Sequence, residues 1–136
     1  MKIGVIVAFL VCTTACAQTT SADSALRPSE INANPLLHNG KIISVTGYLE
    51  DSPEGTAIWD APSDVHNSKV GVDHCLSVMF PDSAKAVASK YDGKRVTLIG
   101  TFEADITKKY QIILGLCNKT TITLDGPKGL TPSQSQ

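Results

Sequence analysis

One short stretch of this 136-residue chain gathers most of the side chains able to hold a metal ion. Asp64 and His66 stand two apart in a polar segment, and Asp73, His74 and Cys75 follow shortly after. Carboxylate, imidazole and thiolate are the donors that zinc and copper sites use. Strand geometry restricts the set, because neighbours in a strand point to opposite faces and Asp73 and His74 then cannot reach one ion without a bulge. A Cys75 engaged in a disulfide is no thiolate ligand. Asp64, His66 and His74 are therefore the metal set this region offers. The plainer reading is a solvated loop followed by a histidine at the end of a barrel.

A second group is aromatic. Trp59, Tyr48 and Tyr110 could form a stacking patch, with His66 beside it, for a glycan, a small molecule or a protein surface. The competing reading has Trp59 closing one end of the barrel core, since the chain has one Trp and a small core to fill. Catalysis has less to work with. The chain contains no G-x-S-x-G, H-E-x-x-H or phosphate-loop pattern. Glu50, Asp51, Glu54, Glu103 and Asp105 crowd two hairpins and could hide a glycosidase pair, which only their separation would reveal. Solvated turns favour the same residues. The expectation is a non-enzymatic chain with no catalytic residues and no cofactor.

The N-terminus reads as an export signal. Lys2 is a short positive region, Ile3 to Val11 are apolar, and Cys12-Thr13-Thr14-Ala15-Cys16-Ala17 follows. Ala15-Cys16-Ala17 is an A-x-A cleavage site, whereas Thr13-Thr14-Ala15-Cys16 resembles a lipobox that would make Cys16 a lipid-bearing N-terminus. The lipoprotein reading is preferred, although Thr13 stands where such signals usually carry Leu. Residues 1–17 would be removed or anchored, 18–27 would be a tether, 28–124 the folded domain and 125–136 a disordered tail. Loss of residues 1–17 takes away one Lys and moves the formal charge from −1 to −2. No basic stripe remains, so nucleic acid is excluded as a partner. The expected address is the periplasm or the outer membrane, with the membrane touched only through Cys16. Partners would be an envelope protein, a glycan or a small molecule.

The elements that must carry these residues are strands. Gly40 to Glu50 (GKIISVTGYLE) repeats at Gly93 to Glu103 (GKRVTLIGTFE), each copy after a turn dipeptide, Asn39-Gly40 or Asp92-Gly93. Ile43, Val45, Gly47 and Leu49 share one face at period two, as do Val96, Leu98, Gly100 and Phe102. A glycine inside each strand suits tight bending at a barrel corner. Thr56 to Trp59 pairs back as a hairpin, and Val70 to Phe80 alternates with Val72, His74, Leu76, Val78 and Phe80 on one face. Ala84, Val87, Ala88 and Tyr91 form the stripe of a short helix that begins at Asp82 or Ser83. Tyr110 to Cys117 is the expected last strand, with an extension at Thr120 to Leu124. A helical turn is expected between Ser29 and Leu37.

Strand, strand, strand, helix, strand, strand is the order of the OB-fold, a five-stranded, partly open Greek-key barrel. Asn34 to Leu49 and Lys90 to Phe102 look like the strand openings of small exported bacterial OB-fold proteins and lipoproteins. The resemblance covers most of residues 30–117 and implies a fold rather than a ligand. Cys75 and Cys117, the two cysteines left in the mature chain, are expected to form one disulfide in an oxidising compartment. Antiparallel pairing of the third and fifth strands would bring them together. The chain-entropy argument gives a loop of about 42 residues roughly 4 kcal/mol.

Overall fold

Both copies of the repeated motif become strands, and they pair with each other. In the computed structural model, which describes residues 24–110 and 117–133, β1 spans Ile42–Ser52 and β4 spans Arg95–Glu103. They run antiparallel in a seven-pair ladder from Ile42↔Thr101 to Tyr48↔Arg95. Val45, Leu49, Val96, Leu98 and Phe102 point inward and are buried, as the period-two pattern requires.

Three more strands close the sheet. β2 (Gly55–Trp59) turns back on β1, with Tyr48 opposite Trp59 and Glu50 opposite Ala57. β3 (Cys75–Met79) runs antiparallel to β2, and β5 (Thr121–Thr123) bridges β3 and β4. The order β1-β2-β3-β5-β4, returning to β1, is a closed five-stranded barrel of the OB kind. α2 (Asp82–Ser89) joins β3 to β4 and packs Ala88 on the core, with Val87 and Tyr91 beside it. α1 (Pro28–Ala33) precedes β1 and inserts Ile31 into the same core. Pro35 then opens a separate 3-10 turn, Pro35–Leu37, so the expected helical turn is split in two.

Closure explains the strand glycines. At Gly47, β1 passes from its ladder with β4 to its ladder with β2, and a Cβ there would strike the Trp59 carbonyl. At Gly100, β4 passes from β1 to β5, and a Cβ would strike the Thr123 carbonyl. Both strands bend where a neighbouring backbone comes too near for a side chain.

The structure corrects several expectations. β3 and β5 are parallel, with Ser77 opposite Thr121. Cys75 and Cys117 nonetheless form the disulfide, with 6.4 Å between Cα atoms. Cys75 opens β3 and Cys117 lies shortly before β5, and parallel strands begin at the same end. The expected strand at Tyr110 to Cys117 falls mostly outside the described residues, and the fifth place in the barrel belongs to β5. The third strand starts later than its alternation suggests, because Gly71 takes φ 73° and Val72–His74 form a 3-10 turn. Val72 is consequently exposed and His74 is no barrel-facing strand residue. The segment expected to be a disordered tail contributes β6 (Leu130–Pro132), which pairs with β4 and buries Leu130. β6 and β5 lie along the same edge of β4 and leave little of it unpaired.

Candidate functional site

The connection from β2 to β3 carries most of the residues with chemical potential, and it folds over one end of the barrel. The β2–β3 ladder continues one step past Trp59↔Cys75, because the Asp60 N–H donates to the His74 carbonyl at 3.0 Å. Asp60 and His74 are thereby set opposite each other. The 3-10 turn Pro62–Asp64 then brings Asp64 to the same place, its N–H donating to the Ala61 carbonyl at 3.1 Å. His74 Nδ1 lies 3.4 Å from Asp60 Oδ2 and 3.3 Å from Asp64 Oδ2. The second Asp60 oxygen accepts the Ser29 N–H at 3.0 Å.

A second cluster forms on the outer face of β1 and β2. Trp59 Nε1 donates to Glu50 Oε2 at 2.8 Å, and His66 Nε2 lies 2.9 Å from Glu50 Oε1. One carboxylate thus holds the indole and the imidazole together. His66 has φ 57°, in the left-handed region that non-glycine residues seldom occupy. Glu50, Glu54, Trp59, His66 and Cys117 line a shallow groove of about 240 Å³ there.

Trp59 belongs to neither of the two places expected for it. It is buried, so its ring face is not free for stacking, yet it lies outside the barrel core. It packs in a satellite cluster with Ala57 and Cys75, flanked by Val65 and Cys117. The disulfide and the 60–69 loop therefore cover the face of β2 and β3 on which OB-folds commonly bind. Tyr48 shares the outer face beside Trp59 and carries the Arg95 guanidinium 5.9 Å from its ring centroid. Tyr110 follows the 3-10 turn Ile106–Lys108, is half-exposed and takes no part in this cluster.

The metal set expected from the sequence is divided. Asp64 and His74 meet, whereas His66 is engaged by Glu50 and Asp73 is exposed. Asp60 takes the third place: it directly follows β2, and only the register of β2 against β3 sets it opposite His74. Three of the hairpin acids have separate local partners. Asp51 accepts from the Thr56 and Ser89 hydroxyls, Glu103 pairs with Lys109, and Asp105 caps the turn that follows it. The Thr107 hydroxyl holds the Asp105 carboxyl below its ordinary range. Cys16 lies outside the described residues.

Compared with known proteins, the chain matches no protein-family model, no curated protein and no solved structure. Its fold and its two side-chain clusters are accordingly the grounds for a functional reading.

Proposed function

We propose that this chain is an exported, non-enzymatic binding module of the bacterial envelope, and that it binds through the rim of Glu50, Glu54 and His66 around Trp59. The observation that carries the reading is the double engagement of Glu50. It fixes an exposed imidazole in a left-handed backbone conformation above a groove, a local cost that surrounding structure must hold in place. The imidazole and two carboxylates make a rim rich in acceptors, which suits a protein, glycan or small molecule presenting hydrogen-bond donors. The Cys75–Cys117 bridge is compatible with an oxidising compartment, and the apolar N-terminal segment supports export, with Cys16 as a lipid anchor.

Site-specific photo-crosslinking in the envelope of the native host tests this. A photoreactive phenylalanine replaces His66 in one variant and Leu36, exposed on another part of the surface, in a second. A discrete adduct from position 66, absent from position 36 and weakened by Glu50→Gln, is the expected result. Equal labelling, or none from either position, would leave a purely structural envelope protein as the better reading.

A further inference from the structure

We propose that Asp60, Asp64 and His74 bind one divalent transition-metal ion, with zinc as the best fit. This site is separate from the Glu50 rim and does not depend on the binding role proposed for it. The three donor atoms lie within 4.8 Å of one another. Zinc bonds to nitrogen and oxygen are about 2.0–2.2 Å, which sets neighbouring ligands of a tetrahedral ion roughly 3.4 Å apart. The two distances from His74 Nδ1, 3.3 and 3.4 Å, already have that spacing. Only the two carboxylates need to close on each other.

Burial and charge point the same way. The Asp60 and Asp64 side chains are 9% and 12% exposed, and among the described residues neither pairs with a Lys or Arg. Among those residues the Asp64 carboxylate accepts from nothing but His74. Two nearly buried carboxylates share one imidazole, which can offset at most one of their charges, so the cluster keeps an excess of negative charge, an arrangement that costs stability. A dication neutralises both. The Ser29 N–H on the outer oxygen of Asp60 and the backbone bond from Asp60 to His74 hold the donors from behind, as supporting shells do in metal sites. His74 is 39% exposed, so the fourth position opens toward solvent and would take water. The one-nitrogen, two-oxygen set matches the borderline cations that imidazole and carboxylate share.

Titration of the oxidised, chelator-stripped full chain tests the proposal. Zn²⁺ is followed by calorimetry and Co²⁺ by its visible absorption, with folding of each variant checked by circular dichroism. The expected result is one equivalent bound, with affinity reduced at least tenfold by Asp64→Asn and by His74→Gln and unchanged by His66→Ala. Should Asp64→Asn fail to fold, Asp60→Asn replaces it, since its remaining oxygen can still accept the Ser29 N–H. The thermal midpoint should rise with Zn²⁺ in the wild type and not in the site variants. A folded chain that takes up neither metal would overturn the site, and so would binding that survives these substitutions. Binding lost on His66→Ala alone would also overturn it and move the metal to Glu50.

Discussion

Val45 and Leu98 stand directly opposite each other in the β1–β4 ladder, and a local two-fold axis runs between them. They are also the same position of the repeated motif, 53 residues apart. The turns that open the two copies make matching contacts. Gly40 N–H donates to the Phe102 carbonyl and Gly93 N–H to the Leu49 carbonyl, each at 2.8 Å. Asn39 Oδ1 accepts the Ala104 N–H and Asp92 Oδ1 the Asp51 N–H, each at 2.9 Å. Each turn therefore secures the far end of the other copy's strand. Gly47 and Gly100 complete the symmetry as the two corners of the barrel.

Asn39→Ala and Asp92→Ala should each lower stability by about 1 kcal/mol, the worth of one intramolecular hydrogen bond. Their effects should add in the double variant, because the caps sit at opposite ends of a ladder roughly 20 Å long. Urea denaturation of the four chains measures this. A double variant much less stable than the sum would show that the two turns are coupled through the sheet.

Gly47→Ala and Gly100→Ala should cost about 1–3 kcal/mol or more, because each methyl must displace a strand carbonyl. Gly126→Ala meets nothing nearby and should lie within about 0.5 kcal/mol of the wild type. Thermal denaturation ranks the three. Equal stability for Gly47→Ala would mean that the barrel corner is looser than the close approach to Trp59 indicates.

Trp59→Ala should destabilise by roughly 3 kcal/mol, as large-to-small changes at buried aromatic positions do. Trp59→Phe keeps a ring against the disulfide and gives up the bond to Glu50, so it should cost nearer 1 kcal/mol. Reduction of Cys75–Cys117 should remove a further 2–4 kcal/mol. Since Trp59 is the one tryptophan, its fluorescence reports the cluster directly, and emission should brighten on reduction as the neighbouring disulfide quencher is lost.

Leu130→Ala should cost about 2–3 kcal/mol despite lying in a segment of disordered composition, because Leu130 is buried against the core. Removal of residues 127–136 should speed amide hydrogen exchange in the Val96–Leu98 part of β4, where β6 lies alongside. Unchanged exchange there would show that β6 adds little protection to that edge.

Much of the barrel was legible along the chain. Alternation marks the inner faces of β1 and β4, Asn39-Gly40 and Asp92-Gly93 mark their turns, and the lone strand glycines mark the corners. These are properties of adjacent residues, governed by backbone geometry and the period of side-chain direction. The meeting of Asp60 with His74 depends instead on the register of β2 against β3, and the arrival of Asp64 depends on a turn packed over the barrel end. The parallel pairing of β3 with β5 decides why Cys75 and Cys117 meet. Burial against the barrel core gives the polar tail a strand that its composition conceals. Trp59 has the pattern of an outward strand residue, and only the loop and disulfide folded across it make that position buried. Local sequence thus determined β1, β2 and β4 and the inner faces of β1 and β4, while long-range pairing decided the remaining strands and which side chains share a site.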